Sequence, residues 1–212
     1  MPTPISIFVC GPSSSGKTTL CRALSAHLKL PAEVVVEETA RKVMRTQGFT
    51  RADVPTFAMK HAILTAQLAA EEAAVEAAAN SGQMLALSDR SAVDAIVYAE
   101  FDPDGEQQKE RLLDEESFRR GVVRYRRSLF VLLAPVEEWV VDDGVRSIDR
   151  GDEYHGFFVA MLKRLEIPYQ HLGQETKGLE ERVSQMVAWI DERRHLHEIT
   201  PGPPLSRHRC SV

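Results

Sequence analysis

Apolar residues follow two alternating rhythms along the 212-residue chain. Short dense runs occur at residues 5–10, 32–36, 84–88 and 129–133, set off by glycine, proline or acidic positions, and Pro168 introduces a last strand at 169–172. Runs of that length predict strands buried on both faces, as in a parallel sheet. Between them the spacing lengthens to that of a helix. Leu20, Leu24 and Leu28 recur at intervals of four over residues 17–28, and Pro31 ends the pattern. A short helix is predicted over 39–47, stopped by Gly48. Asp53 reads as the N-cap of a long helix with Pro55 near its first turn, and alanines carry it to Asn80. Further helices are predicted from near Ser91 to Ala99, over 106–127 with Gly121 as an interruption, over 152–165 and over 179–196.

Strand and helix thus alternate five times, which predicts an α/β fold: a five-stranded parallel sheet with helices on both faces. Ligands bind such sheets at the carboxyl ends of the strands. That places the chemistry at Gly11, at Glu37-Glu38, at Asp89 and just after Ala134. The expected organisation is one domain over residues 1–198, with a lid at about 136–151. Residues 199–212, with three prolines and no apolar periodicity, are expected to be a disordered tail.

Composition narrows the function classes. At 43% apolar and 27% charged, the chain can bury the core of one ordinary domain. A formal charge of −5 argues against a nucleic-acid partner held by bulk electrostatics. The three cysteines, Cys10, Cys21 and Cys210, form no CxxC pair, which excludes a zinc ribbon and points to a reducing compartment. No apolar run approaches the roughly 18 residues of a transmembrane helix, and the N-terminus lacks the positive start of a signal peptide. A cytoplasmic location is the expectation.

The clearest motif is Gly11-Pro12-Ser13-Ser14-Ser15-Gly16-Lys17-Thr18, which fits G-x-x-x-x-G-K-[ST] at every fixed position. It follows a predicted strand and opens a predicted helix. Its glycines permit a tight loop whose N–H groups turn inward, and the helix adds its positive end. Gly11, Ser13, Ser14, Ser15, Gly16, Lys17, Thr18 and Thr19 are the candidate nucleotide-binding residues. Lys17 would neutralise the β- and γ-phosphates, and Thr18 would hold Mg²⁺ through its hydroxyl. The loop specifies a nucleoside triphosphate, ATP with GTP as the alternative, and not a reaction. No N-K-x-D sequence for guanine recognition is present.

A kinase acting on a hydroxyl needs a carboxylate near the acceptor. Glu37 and Glu38 end the second predicted strand, where adjacent side chains point opposite ways. Glu38 is the first candidate and Glu37 the alternative; either would also suit the positive end of the helix that follows. Asp89 follows the third strand, at the position from which a carboxylate reaches Mg²⁺ through water, or else it caps the next helix. Arg90 is a candidate for acceptor or phosphate contact. Asp94 and Tyr98, spaced i, i+4, suit a mutual bond. Arg146 and Arg150 follow the fourth strand, where lid arginines would stabilise the transferring charge, or pair with nearby aspartates. The alanine-rich helix is expected to wall the acceptor pocket, with Gln67 contacting a base, or else its alanines serve close helix packing.

Taken in order, the P-loop, Glu37-Glu38-Thr39-Ala40-Arg41, Gln67 with Glu71, Asp89 and the Trp139-to-Arg146 segment resemble the NadR-like P-loop domain. This is an AAA-type P-loop family whose bacterial members include a ribosylnicotinamide kinase. The likeness continues through Tyr154-His155, Ile167-Pro168-Tyr169 and Glu181-Arg182-Val183, and Asp89-Arg90-Ser91 is also similar to a turn of thymidylate and deoxynucleoside kinases. The resemblance implies a nucleoside-kinase-like fold, ATP·Mg²⁺ binding, and phosphorylation of a nucleoside-type hydroxyl, such as that of nicotinamide riboside. It also strengthens Glu38, Asp89, Arg146 and Arg150 as catalytic candidates, beside Lys17, with Glu37, Arg41, Gln67 and Arg90 on the substrate side. The competing expectation is a nucleotide-dependent regulatory or trafficking protein. Its support is the cluster Arg119, Arg120, Arg124, Arg126 and Arg127, which would meet anionic lipid or else form a solvated face.

Overall fold

The strand that carries the glycine loop, β1 (Ile5–Cys10), is paired on both edges and buried at all its positions. In the computed structural model, which describes residues 3–139 and 151–199, it is the centre of a five-stranded sheet. The strand order is β2 (Val35–Val36), β3 (Leu85–Asp89), β1, β4 (Leu129–Leu133) and β5 (Tyr169–Leu172), and every pair is parallel. Register sets Val9 beside Asp89 on one side and Val131 on the other. All carboxyl ends therefore meet at the mouth of the loop after Cys10.

Side chains alternate across the sheet, and each face has its own core. Ile5, Ile7 and Val9 pack with Leu20 and Leu24 of α1 (Lys17–His27) and with Val183, Met186 and Ile190 of α8 (Leu179–Ile199). Phe8, Cys10, Phe130 and Leu132 point the other way, into a larger cluster. That cluster draws on α3 (Phe57–Ser81), α4 (Ala92–Ala99), α5 (Gly105–Leu113), α6 (Glu116–Tyr125) and α7 (Gly151–Arg164). Burial on both faces is why the central strands read as unbroken apolar runs. β5 is an edge strand, which accounts for the exposed Gln170 and His171 in its middle.

Three boundaries differ from the sequence expectation. Residues 32–36 hold a single 3-10 turn and only the two-residue strand β2, since Pro31 delays extended pairing with β3. The cap of α3 is Thr56, whose hydroxyl accepts from the Met59 N–H at 3.3 Å. Asp53 instead closes a capping box with Thr50 around the preceding turn, accepting from Thr50 N–H at 2.7 Å. Finally, 106–127 divides into α5 and α6 at Asp114-Glu115, and Gly121 lies inside α6. A Cβ on Gly121 would come within 2.9 Å of Leu68 Cδ2, so that glycine serves close packing of α6 on α3. Between β2 and α3 lies α2 (Thr39–Gln47), closed by Gly48 at φ 74° as expected. The expected disordered tail and most of the lid lie outside the described residues.

Two glycines make opposite predictions. A Cβ on Gly105 would fall on the Ala99 carbonyl oxygen, whereas one on Gly156, inside α7, meets nothing within 4 Å. Gly105→Ala should lower stability by about 1–3 kcal/mol through overpacking. Gly156→Ala should raise it by about 0.5–1 kcal/mol through helix propensity. Urea denaturation of both variants checks the pair, and equal midpoints would contradict it.

Candidate active site

Gly11 leaves β1 at φ 144°, and a Cβ there would stand 2.7 Å from the Leu133 carbonyl oxygen that ends β4. Only glycine fits so close a crossing. Gly16 caps α1 at φ 83°, and Ser14 between them is also left-handed, at φ 59°. The loop is closed by Ser15, whose hydroxyl donates to the Pro12 carbonyl at 3.0 Å. Lys17, buried, bends back across it and donates to the same carbonyl and, at 3.2 Å, to Ser15 Oγ. Ser13 is half-buried, while Thr18 and Thr19 are exposed on the first turn of α1.

The Thr18 hydroxyl donates to Asp89 Oδ2 at 2.5 Å. Asp89 still belongs to β3, and Ser91, not Asp89, caps α4. The second oxygen of Asp89, Oδ1, is buried with no partner. A hydroxyl and a carboxylate with an unused oxygen are hard ligands of the kind Mg²⁺ takes, with water and phosphate completing its octahedron. These two residues fit that ion. Among the described residues no group of three His, Cys, Asp or Glu is arranged to hold a metal.

The acceptor-side residues gather around Arg90. This residue turns the chain out of β3 at φ 84°, and its side chain is buried. Its Nε donates to Glu38 Oε1 at 3.2 Å and its Nη1 to Asp94 Oδ1 at 2.9 Å. Nη1 also approaches the Gly11 carbonyl at 3.4 Å. Asp94 is held in turn: its Oδ2 accepts from Ser91 N–H at 2.9 Å, and its Oδ1 accepts from the Tyr154 hydroxyl at 2.7 Å. Arg41, largely exposed, donates to Glu38 Oε2 at 3.0 Å. Glu38 makes no side-chain bond to the N-terminus of α2, and its carboxylate is engaged by the two arginines. Glu37 is exposed.

Gln67 stands apart from the open cleft. It is 3% exposed, and its amide donates to Ser88 Oγ at 3.0 Å, Glu71 Oε1 at 3.2 Å and the Arg90 carbonyl at 3.4 Å. Glu71 also accepts from Arg124 Nη2 at 2.6 Å, the Tyr125 hydroxyl at 2.7 Å and Ala92 N–H at 3.2 Å. The pair braces the Ser88-to-Ala92 turn from behind. Burial pushes the Glu71 carboxyl up, opposed by Arg124 and the hydrogen bonds it accepts. Gln67, the residue expected to contact a base, has its amide engaged within this network.

The arginine cluster loses most of its free charge to carboxylates. Arg119 pairs with Asp114 at 2.5 Å, Arg120 with Glu116 at 2.5 Å, Arg124 with Glu71, and Arg126 with Glu166 at 3.3 Å. Such a face offers an anionic lipid little net attraction. Arg146 and Arg150 lie outside the described residues.

Asp94, Tyr154, Trp139 and Arg182 border the site without having been singled out for it from sequence. Ser91-x-x-Asp94 is a capping box, which signals order at Asp94 but not its bond to Arg90. Arg182 is a cation in the first turn of α8, against the helix dipole, and that misplacement is the sequence signal for it.

Burial pushes the Asp89 carboxyl above its ordinary range, opposed by the Thr18 hydrogen bond and by Arg90 and Lys17. The folded protein then keeps this proton to higher pH than the unfolded chain. Its contribution to stability is complete below the unfolded carboxyl pKa and is lost as pH rises through the folded value. Asp89→Asn should therefore flatten the decline of stability across the weakly acidic range. Denaturation at stepped pH checks this, and an unchanged slope in the variant would contradict it.

With this geometry in place, comparisons locate the chain among known proteins. No curated protein sequence matches it. Among solved structures, NadR protein in complex with NR superposes with a TM-score of 0.68 at 25% identity, covering 97% of this chain and 54% of that one. NadR protein in complex with NAD and AMP-PNP gives 0.68 at 22%, covering 96% and 52%. The chain thus spans about half the length of these NadR chains. Deoxyadenosine kinase from M. mycoides with bound dATP gives 0.61 at 14% identity, covering 88% and 100%. These likenesses show a P-loop kinase-like α/β fold. Residues 6–182 match the family AAA_28, described as an AAA domain, and with most of its length so matched the chain belongs to that P-loop family.

Proposed function

We propose that the protein transfers the γ-phosphoryl group of ATP, bound with Mg²⁺, to a hydroxyl of a nucleoside-like small molecule, with GTP as the alternative donor. The observation that carries this reading is the Thr18–Asp89 contact with its spare buried carboxylate oxygen, set beside the Gly11-to-Thr18 loop. Mg²⁺, held by Thr18 and through water by Asp89, would supply charge neutralisation for the β- and γ-phosphates.

The chain's own residues divide the remaining work. Phosphoryl transfer proceeds through a loose transition state, so positioning and electrostatics dominate. The loop N–H groups and Lys17 grip the triphosphate, Lys17 exchanging its contacts to Pro12 and Ser15 for phosphate oxygens. Glu38 receives or orients the acceptor hydroxyl from the β2 side, and Arg90 holds Glu38 in place. Arg41 and Glu37 flank the acceptor approach. Arg146 and Arg150 remain candidates for phosphate contact from the lid.

Nicotinamide riboside is the first acceptor to test, because the NadR neighbours include a complex with NR, and deoxynucleosides are the second. Incubation with ATP·Mg²⁺ and a nucleoside panel, read by mass spectrometry, should yield one phosphorylated acceptor. ATP hydrolysis without transfer to any member would contradict the proposal. With that acceptor, Glu38→Gln should lower kcat by about 10²–10⁴-fold with little change in ATP affinity. A wild-type kcat would move the role away from Glu38.

A further inference from the structure

Two buried arginines flank the glycine loop, and they differ in one respect. Arg90 is compensated by Glu38 and Asp94. Arg182, reaching the loop from α8 and 2% exposed, has no ion pair among the described residues. Its Nη1 donates to the Ser15 carbonyl at 2.9 Å and its Nε to the Thr176 carbonyl at 2.6 Å, both neutral acceptors. Its Nη2 is buried with no partner. Trp139 covers the guanidinium, with Cζ 4.6 Å from the ring centroid. Both groups stand over Gly16, where a Cβ would lie 3.1 Å from Trp139 Cζ3 and 3.2 Å from Arg182 Nη1.

A buried guanidinium keeps its charge, and a buried charge without a counter-charge is unfavourable. Its seat in the first turn of α8 adds the opposition of the helix dipole. Desolvation depresses its proton affinity, with no carboxylate to offset that. The two carbonyls and the stacked indole are the groups that favour the cation here, and none of them carries a full negative charge. The adjoining loop, however, is built to receive anions.

We propose that Arg182 is a polyphosphate-binding residue, whose missing counter-charge is the polyphosphate of the bound nucleotide. Its bond to the Ser15 carbonyl holds that carbonyl outward, which leaves the neighbouring N–H groups free to face the phosphates. Trp139 excludes water from the guanidinium, so its charge acts on the cradle with little screening. The inference rests on the reading of this loop as a triphosphate cradle. It adds a residue from the far end of the chain, on the side of β1 opposite to Glu38 and Arg90.

The test uses the whole protein, titrated with inorganic tripolyphosphate and with ATP, each with Mg²⁺, at several salt concentrations. Indole fluorescence reports binding, and Trp139→Phe separates its signal from that of Trp189. Arg182→Met should weaken both ligands by about tenfold or more and make their affinity less dependent on salt. Arg182→Lys, which keeps the charge, should recover part of the affinity and the salt dependence. Wild-type affinity in Arg182→Met would overturn the proposal. So would a loss that Arg182→Lys does not relieve, with salt dependence unchanged, since that marks a structural brace alone. Should the Met variant fail to fold, the Lys variant decides: near wild-type affinity and salt dependence support the proposal, and loss of both overturns it. Failure of the wild-type protein to bind either ligand would overturn the cradle reading itself.

Discussion

The carbonyl oxygen of Leu133 leaves no room for a side chain on Gly11, and the organisation of the site follows from that close crossing. It forces the chain to leave β1 at a φ that glycine alone tolerates well. It also presses the start of the loop against the end of β4. Because β1 lies between β3 and β4, the loop then divides the carboxyl edge of the sheet into two halves. On one side stand Asp89, Arg90 and Glu38, on β3 and at the end of β2. On the other stand Trp139 and Arg182, after β4 and on the helix after β5. A triphosphate lying in the loop would meet both halves.

The two halves are stabilised by different means. On the β3 side, Arg90 sits in a polar core that answers its charge, while Asp89 keeps one buried oxygen without a partner. Arg90 joins two carboxylates, Asp94 takes the Tyr154 hydroxyl as well, and Gln67 with Glu71 braces the turn from behind. Such a network fixes geometry even where its net contribution to stability is small, because breaking one member strands the others. Arg90 is thereby held in a left-handed conformation that a non-glycine residue seldom adopts. The β4 side is incomplete, with one cation and one unused donor. These two unused polar atoms, Asp89 Oδ1 and Arg182 Nη2, thus stand on opposite sides of the loop.

Local chemistry made the loop and the strands legible in the sequence. Gly11, Gly16, Lys17 and Thr18 are a motif because their spacing is a backbone requirement, β1 and β4 stand where the apolar runs predict them, and β5 stands where Pro168 introduces a strand. The short helix 39–47 was equally plain from Gly48. Which of Glu37 and Glu38 turns inward was not, since a two-residue strand gives alternation too little length to decide. The position of Arg90 decides it in the structure, 52 residues further on. Choosing Thr56 over Asp53 as the cap of α3 likewise depended on Thr50 engaging Asp53 first. The bonds from Tyr154 to Asp94 and from Arg182 to Ser15 span 60 and 167 residues. No periodicity records contacts of that range. The arginine cluster is a case where sequence displays charges without their partners, here Asp114, Glu116, Glu71 and Glu166.

We propose that the loop holds the triphosphate and Glu38 the acceptor hydroxyl of a single reaction. A crystal structure with Mg²⁺, a non-hydrolysable ATP analogue and the identified acceptor should then show phosphates along the Gly11-to-Thr18 N–H groups, the ion at Thr18 with Asp89 beside it, and the acceptor hydroxyl within hydrogen-bond reach of Glu38. An acceptor bound elsewhere, or phosphates lying outside the loop, would contradict it.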